Sequence, residues 1–322
     1  MPNQRPGTID VKIDDQVAVI GAGLAGLTVA RALTDAGHSV VVFDKGRGLG
    51  GRMASRRRYG WRFDHGAIVL RPTDEGFSTF LTQTEDQGFA APWKDAGGWT
   101  GLPGMSGCVK PVVQSLTIHT QAEVTGLERR GDKWTLQGDE QSEGLQFDQL
   151  ILAIPQPQAL RLLSPWPDLQ ALIAPAEMDP CWTVMVGFET PLPTDDSYAK
   201  DLSGPISVIA RETAKPGREL PGDAWVIQAS AEWSSAHLER EQTEVVPPLL
   251  AAFFASVDCP PVAPVIGMAH RWRYALTRKP LGQPHVRADA VGLSICGDWC
   301  LGHSAQDAFN SAHSLASELL AE

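Results

Sequence analysis

Hydrophobic positions near the amino terminus follow two different periodicities. Gln16–Ile20 is a short apolar run that ends at Gly21, and His38–Phe43 is a second run rich in β-branched residues. Between them, Leu24–Ala36 places leucine and alanine every three or four residues, which is the spacing of one helix face, and Gly37 stands where that helix would end. The pattern predicts a strand–helix–strand unit with parallel strands.

Beyond residue 70 the pattern is less regular and the predicted elements are shorter. Proline, glycine and tryptophan through Pro92–Met105 favour loops over a sheet. Gly131–Asp132 is a hairpin turn signal between two strands, and Pro157 can start a helix. The predicted strands are Ile118–Leu127, Lys133–Gln137, Leu150–Ile154, Trp182–Phe188, Ala224–Ser230 and Leu293–Cys296, and the further helices are Pro157–Leu163, Thr243–Val257 and Ala305–Leu320.

These elements predict an α/β protein of two domains, a Rossmann-type nucleotide-binding domain and an inserted α+β domain. A length of 322 residues fits two domains. We expect residues 1–70, 105–164 and 276–322 to form the nucleotide-binding domain. Residues 71–104 and 165–275, where prolines separate several strands, form the inserted substrate domain, and the first ten residues or so read as a leader.

Composition excludes several classes of protein. The formal net charge is −11, with 38 acidic against 27 basic residues, which disfavours non-specific nucleic-acid binding. No apolar run reaches the ~18 residues of a membrane span. The five cysteines form no CxxC pair, so reduced thiols in the cytoplasm are expected rather than a disulfide framework. The eight histidines show no metal-ligand spacing.

The glycine-rich turn after the first strand carries the sharpest chemical signal. It matches the GxGxxG pattern, follows a strand, opens a helix and precedes an acidic residue at the end of the second strand. The first glycine permits the tight turn, the second lets a pyrophosphate approach the backbone, and the third allows close helix packing. The helix N-terminus supplies amides for phosphates, and the acidic residue can accept hydrogen bonds from the adenosine ribose. The predicted dinucleotide-binding residues are Gly21, Ala22, Gly23, Leu24, Ala25, Gly26 and Asp44.

The segment after the second strand distinguishes between dinucleotides. Gly50, Gly51 and Arg52 resemble the extended FAD fingerprint of the monoamine-oxidase/glutathione-reductase-like flavoproteins. The two glycines would let the backbone pass close to the diphosphate, and Arg52 would neutralise it. Lys45 could add positive charge at the adenosine end. For the arginine run at 56–58 a solvated strand surface is favoured over a ligand-phosphate role.

Three later segments fit the same resemblance. Val124 lies in a strand like the one whose valine backbone pairs with adenine in this superfamily, and residues 150–155 resemble the strand that underlies the cofactor. A strand ending in Gly297-Asp298 resembles the one that places a carboxylate on the ribityl or phosphate region of FAD. The next helix would direct its N-terminus at the flavin pyrimidine, with Ala305 offering a backbone amide.

Over almost its full length the chain resembles the renalase branch of these oxidases. The resemblance implies non-covalent FAD in a p-hydroxybenzoate hydroxylase-like fold, with Gly66 and Ala67 also beside the cofactor. It implies oxidation of dihydro-NAD(P) isomers that carry the extra hydride at ring position 2 or 6. Hydride would pass to flavin N5, and O2 would reoxidise the flavin to give H2O2. The segments that carry the resemblance are Gly50-Gly51-Arg52-Met53, Trp99 to Gly104-Met105, His270–Ala275 and Cys296-Gly297-Asp298-Trp299.

The chain departs from this branch at positions that face the substrate. Where the branch has Gln-Tyr-Phe after Gly66-Ala67, this chain has Ile68-Val69-Leu70, and Ser304-Ala305-Gln306 replaces Arg-Val-Glu. Two glycines of the last helix in that branch are replaced here by Asp307 and Ala312. The cofactor frame is preserved, whereas the substrate remains open.

Candidate catalytic residues follow from the chemistry of a dihydropyridine. Because such a ring loses hydride without a strong base, the protein mainly positions it. Strand alternation at 270–274 places His270 on the same face as two aromatic residues, with two arginines opposite. His270 is a candidate at the flavin pocket, with a structural histidine as the alternative. Trp299 is a candidate wall over the ring, with core packing as the alternative, and His303 could reach the pyrimidine side.

Two further hypotheses stay open at this point. The chain could be an amine or polyamine oxidase of the wider superfamily, which a lysine near flavin N5 would favour. It could also retain FAD as a structural or redox-sensing group without catalysis, to which the change at residues 68–70 points. In either enzyme hypothesis the partners are a small-molecule substrate and O2, with no nucleic acid and no membrane.

Overall fold

The computed structural model describes residues 16–321, and the predicted leader lies outside them. The strands are β1 Gln16–Ile20, β2 Ser39–Asp44, β3 Ser55–Arg58, β4 Trp61–Asp64, β5 Ala90–Trp93, β6 Gly98–Gly101, β7 Thr117–Thr120, β8 Val124–Arg130, β9 Lys133–Gly138, β10 Gln146–Phe147, β11 Gln149–Leu152, β12 Glu177–Phe188, β13 Tyr198–Lys200, β14 Ile206–Arg211, β15 Asp223–Ala229, β16 Ile266–Lys279, β17 Val286–Ala288 and β18 Leu293–Ile295. The α-helices are α1 Leu24–Asp35, α2 Glu75–Asp86, α3 Gln156–Leu162, α4 Pro167–Ile173, α5 Ala231–Ala236, α6 Gln242–Ser256, α7 Asp298–Leu301 and α8 Ala305–Leu319.

The first sheet has the strand order β17-β18-β11-β1-β2-β7, and all of its pairs except β17–β18 are parallel. Its central strands are apolar throughout because both faces are covered. Helices α1, α2 and α8 pack on one face, and the β8–β10 sheet with α3 and α4 packs on the other. The predicted strand–helix–strand unit and the α/β fold are confirmed.

The second sheet is antiparallel, in the order β13-β14-β15-β12-β16. Helix α6 covers one face. Trp61 and Phe63 of β4, stacked with ring centroids 6.2 Å apart, contribute to the core on the opposite face. The β3–β4 hairpin therefore packs against this sheet although it follows directly after the glycine-rich segments of the chain. The residue boundaries proposed for the two domains stay a prediction.

The predicted strand Ile118–Leu127 is wrong, because it is two strands in different sheets. β7 pairs with β2 in the parallel sheet, whereas β8 pairs with β9 in the three-stranded sheet. Between them Gln121 adopts a φ of 58°, and the Ala122 amide donates to the Asp44 carbonyl at 2.9 Å. This turn redirects the chain, and the sequence alone did not reveal it.

The expectation of loops through Pro92–Met105 is also wrong. β5 and β6 form an antiparallel hairpin that pairs Ala90 with Gly101 and Trp93 with Gly98. Helix α2 was not predicted, although Asp74 caps it by accepting a hydrogen bond from the Phe77 amide at 2.8 Å.

Two expectations about composition can be compared with the structure. All five cysteines are free and buried, as expected for reduced thiols. Within residues 16–321, no helix combines the length and the apolar character that crossing a bilayer requires.

Candidate cofactor and substrate site

The glycines of the β1–α1 turn differ in what they do for the chain. Gly21 adopts a φ of 111°, and a Cβ there would lie 2.4 Å from the Ala153 carbonyl oxygen. A Cβ at Gly26 would lie 1.9 Å from the Gly21 carbonyl oxygen. A Cβ at Gly23, by contrast, would meet nothing within 4 Å. Gly21 and Gly26 are thus required by local packing, whereas Gly23 faces open space at the start of α1.

The second glycine pair lies directly against this turn. The Gly50 amide donates to the Ala22 carbonyl at 2.8 Å, and Gly50 and Gly23 form a parallel bridge. A Cβ at Gly51 would come within 3.3 Å of the Gly23 Cα. Helix α1 begins without a side-chain cap, so its first backbone amides are available to an anion. This glycine cradle, residues 21–26 with 50–52, fits a diphosphate.

The residues predicted at the adenosine end lie near one another. The Asp44 carboxylate accepts hydrogen bonds from the amides of Ala22 and Gly46, each at 2.6 Å. Each carboxylate oxygen has a second lone pair, which leaves capacity for a ribose hydroxyl. Lys45 is more than half exposed, 3.9 Å from a Glu123 carboxylate oxygen, and Val124 is half-buried at the start of β8. Their contact with adenosine stays a prediction.

Arg52 and Asp298 were predicted separately, and the structure brings them together. They form a bidentate ion pair, with Arg52 Nη1 2.7 Å and Nη2 2.5 Å from the two carboxylate oxygens, although 246 positions separate them. Arg52 Nη1 also donates to the Ala275 carbonyl at 2.9 Å. Asp298 is buried, and the Gly297 amide before it donates to Ser311 Oγ at 2.9 Å. The pair therefore closes the glycine cradle from the carboxyl-terminal side of the chain.

The three predicted residues after Asp298 occupy different environments. Trp299 is 0% exposed and donates its indole N–H to the Ile154 carbonyl at 3.0 Å. The prediction that Trp299 forms a wall over the flavin ring is wrong, because its indole packs in the core below the sheet. His303 is exposed between α7 and α8, and Ala305 is the first residue of α8. Asp307, which replaces a helix glycine of the resembled branch, accepts from the Ser304 amide in a capping box.

A cluster of rings lies where the β3–β4 segment meets β16. The His65 and His270 rings have centroids 4.8 Å apart, and Trp272 lies 4.4 Å from His270 and 5.1 Å from His65. The Arg56 guanidinium is 3.4 Å from His270 Nδ1. His270 and Trp272 share one face of β16, as predicted, while Arg271 and Arg273 both contact Glu239 on the other side. We call His65, His270, Trp272 and Arg56 the histidine junction.

Both histidines of this junction are neutral at physiological pH. Burial, then the neighbouring His270 and Arg56, lowers the pKa of His65 to about 3. Burial, then Arg56, lowers the pKa of His270 to about 4. The only formal positive charge in the junction is therefore that of Arg56, and two uncharged imidazoles can offer both donor and acceptor nitrogens.

The histidine junction is fastened directly to the glycine cradle. Trp272 donates its indole N–H to the His65 carbonyl at 2.8 Å, and Gln228 donates to the Gly66 carbonyl at 2.6 Å. A Cβ at Gly66 would lie 1.9 Å from the Arg52 carbonyl oxygen, to which the Ala67 amide donates at 2.8 Å. Gly66 and Ala67 therefore connect the segment that carries His65 to the segment that carries Arg52.

The sequence did not reveal His65 as a site residue. It directly precedes Gly66 and Ala67, which the resemblance places beside the cofactor. His65 stands at a strand end and belongs to no motif with a characteristic residue spacing, so the sequence does not mark it as functional. A pairing between the segment around His65 and the His270 strand would have identified it, but such long-range contacts cannot be read from one sequence.

A buried charge network below the histidine junction was also missed. Lys215 Nζ lies 2.9 Å from Asp64 and 2.6 Å from Glu212, and Arg218 lies 2.5 Å from Asp64. All four side chains are at most 1% exposed. Despite burial, Lys215 and Arg218 hold the pKa of Asp64 well below its usual range, while burial and Asp64 raise that of Glu212. Because Asp64 also accepts from the Met105 amide at 2.8 Å, the network joins three segments of the chain.

Comparison with known proteins agrees with this geometry. A Rossmann-type parallel sheet with a glycine cradle is typical of a dinucleotide-binding protein. Residues 19–84 match the NAD(P)-binding Rossmann-like domain, and residues 93–320 match the family described as flavin-containing amine oxidoreductase. The chain belongs to this flavin-containing family.

Individual relatives are similar in part or in fold. A 4,4'-diapophytoene desaturase of Staphylococcus aureus is 45% identical over 58 residues, which is 18% of this chain and only 12% of that protein. A putative protoporphyrinogen oxidase from Exiguobacterium has a TM-score of 0.65 at 15% identity, covering 97% of this chain and 100% of its own. A triple mutant of putrescine oxidase has a TM-score of 0.70 at 14% identity, covering 95% and 99%. At such identities the solved structures show the fold alone.

Proposed function

We propose that this enzyme binds FAD non-covalently and oxidises a dihydro-NAD(P) isomer that carries the extra hydride at ring position 2 or 6. The observation that carries the proposal is the charge of the histidine junction. Its imidazoles are neutral, and Arg56 forms no carboxylate ion pair within residues 16–321. A site with this charge repels a protonated amine and attracts an anionic dinucleotide. FAD, when bound, would supply a hydride acceptor and pass both electrons to O2, giving H2O2.

The roles of the protein residues follow from this chemistry. His65 and His270 would orient the nicotinamide carboxamide, since uncharged imidazoles provide one donor and one acceptor each. Neither needs to remove a proton, because loss of hydride alone restores the aromatic pyridinium. The Arg52–Asp298 pair and the glycine cradle would hold the cofactor diphosphate and ribityl region.

Two observations support non-covalent attachment. Cys300, which lies two positions after Asp298 of the carboxyl-terminal cofactor motif, is 0% exposed. Burial raises the pKa of its thiol to about 12, so it is a poor nucleophile toward a flavin.

Amine oxidation is the second candidate, and the family match favours it directly. The putrescine oxidase similarity supports the same fold but not the same substrate. An amine substrate would have to be unprotonated to enter the site beside the positive charge of Arg56.

Anaerobic mixing separates the two candidates. The purified yellow protein would be mixed with 6-dihydro-NAD, 2-dihydro-NAD, ordinary 4-dihydro-NAD and a panel of primary and secondary amines, and the flavin absorbance followed with time. We expect rapid bleaching by the 2- or 6-isomer and slow or no bleaching by the others. Bleaching by amines alone would establish the second candidate, and no bleaching by either isomer would overturn the proposal.

A further inference from the structure

We propose that the β3–β4 hairpin forms a second part of the substrate site, one that binds the phosphate groups of a small phosphorylated ligand. This rests on the proposed function, in which the ligand is the diphosphate-bearing dinucleotide substrate. The hairpin carries four arginines, Arg56, Arg57, Arg58 and Arg62. A chain with a net charge of −11 concentrates positive charge in this one short element.

The arrangement of these arginines is unfavourable without an anion. Arg57 lies directly opposite Arg62 in the antiparallel pair. Like charges at directly opposed positions destabilise a hairpin. Partial burial, then the charges of Arg218 and Arg57, lowers the pKa of Arg62. A bound phosphate would relieve this repulsion.

Carboxylates neutralise the hairpin only in part, because burial and the charges of Arg218 and Arg57 lower the pKa of Arg62 more than the charges of Asp64 and Glu212 raise it. Within residues 16–321, none of the four arginines forms an ion pair with an Asp or Glu at 4 Å or less, although Arg31, Arg52, Arg211 and Arg271 all do. The strands are joined by Tyr59 and Gly60, with φ of 51° and 82°, which is a tight turn. An open concavity of about 310 Å³ is lined by residues 57–62. Its size is near the lower end of the ~300–1,000 Å³ of small-molecule sites, so it fits a phosphate group rather than a whole dinucleotide.

The hairpin is continuous with the histidine junction. Arg56 contacts His270 at 3.4 Å, and Arg58, two positions further along β3, lies on the same face of the hairpin, whereas Arg57 and Arg62 lie on the opposite face. The end of the hairpin next to the junction is held in place, because Ser55 Oγ donates to Asp64 at 2.6 Å. A ligand with its ring at the junction could therefore extend its phosphates past Arg58 to the turn of the hairpin, where arginines of both faces line the concavity. A nucleic acid is disfavoured, since the rest of this acidic surface would repel a long polyanion.

Binding of inorganic pyrophosphate to the FAD-loaded protein tests the proposal without any catalytic assay. We expect calorimetry to show binding that weakens with salt, and the variant R57Q/R62Q to bind at least tenfold more weakly, since two charge-assisted contacts are removed. The matched control is R240Q/K94Q, which removes two exposed positive charges elsewhere and should bind as wild type does. Flavin absorbance and thermal unfolding would verify that R57Q/R62Q is folded, and relief of repulsion should leave its Tm equal or higher.

The outcomes are distinct. Equal pyrophosphate affinity in wild type and R57Q/R62Q, or no binding by wild type, overturns the proposal. Tighter binding of a single-stranded oligonucleotide than of pyrophosphate, lost in the same variant, also overturns it in favour of a nucleic-acid surface.

A kinetic comparison connects the hairpin to the proposed function. The two substrates compared are 6-dihydro-NAD and a phosphate-free N-alkyl 6-dihydronicotinamide. The kcat/KM for 6-dihydro-NAD, divided by the kcat/KM for the phosphate-free compound, should fall about tenfold or more in R57Q/R62Q. An unchanged ratio contradicts the hairpin as the diphosphate site. If neither compound reduces wild-type flavin, the proposed function fails, while the pyrophosphate measurement still decides on phosphate binding.

Discussion

The glycine cradle and the histidine junction adjoin each other but are constructed by different means. In the cradle the contacts are between backbone atoms of segments close in sequence, such as the Gly50 amide and the Ala22 carbonyl. In the junction they are between side chains from distant segments, such as His65 and His270. A backbone site depends on where side chains are absent, whereas a side-chain site depends on which distant groups the fold brings together.

The largest effect should come from the charge network that supports the junction. Replacing Asp64 by Asn would leave Lys215 and Arg218 buried with only Glu212 as an acidic partner. Removing one member of a buried ion pair costs about 3–5 kcal/mol, so the free energy of unfolding should fall by about that amount. Urea unfolding followed by tryptophan fluorescence measures it.

Two variants sharpen this test. D86N changes an exposed carboxylate and should shift the free energy of unfolding by no more than about 0.5 kcal/mol. D64N/K215M removes one charge of each sign and should be more stable than D64N alone. If D64N unfolds like wild type, the network does not hold the junction together.

A smaller effect should separate the two kinds of glycine in the cradle. G26A forces a Cβ to within 1.9 Å of the Gly21 carbonyl and should destabilise the protein by about 1–3 kcal/mol. G23A meets no protein atom within 4 Å, so the apoprotein should keep its stability while its FAD affinity falls. Thermal unfolding of the apoprotein and titration with FAD measure the two properties. Wild-type FAD affinity in G23A would mean that the open space at Gly23 does not receive the cofactor.

The smallest effect, per pH unit, should come from protonation of the junction. Because the pKa of His65 is lowered to about 3 and that of His270 to about 4, the unfolded chain binds more protons than the folded protein below about pH 6.5. The free energy of unfolding should therefore fall as pH drops from about 6.5 towards 4, by up to about 1.4 kcal/mol per pH unit for each histidine. H65N should reduce this slope, measured by urea unfolding at each pH, whereas H38N, at an exposed position, should not. An equal slope in H65N and wild type would assign the acid sensitivity to other groups.

The contrast between the two regions also explains what the sequence could predict. The elements β1, α1 and β2 and their glycines follow from local periodicity and spacing, and the structure agrees with them within one or two residues. Asp298 and Arg52 were each identified from a short motif, but their bidentate pairing was not predicted, because it depends on how β18 joins the sheet.

The errors arise where tertiary contacts override local signals. Trp299 follows a cofactor motif, yet its indole finds a hydrogen-bond acceptor in the core at Ile154. Lys215 and Glu212 lie in a segment without strong periodicity, and nothing local shows that Asp64 neutralises one and repels the other. Such groups become visible only when distant segments are placed side by side.

The ion pair between Arg52 and Asp298 has a consequence for biogenesis. The ribosome must have synthesised Asp298, and β18 must have paired with β11, before Arg52 can form this ion pair. Cofactor loading is thus expected to follow translation of nearly the whole polypeptide rather than to accompany emergence of the first strand–helix–strand unit. A nascent chain arrested before that residue should accumulate without yellow colour, however long it waits in the presence of flavin.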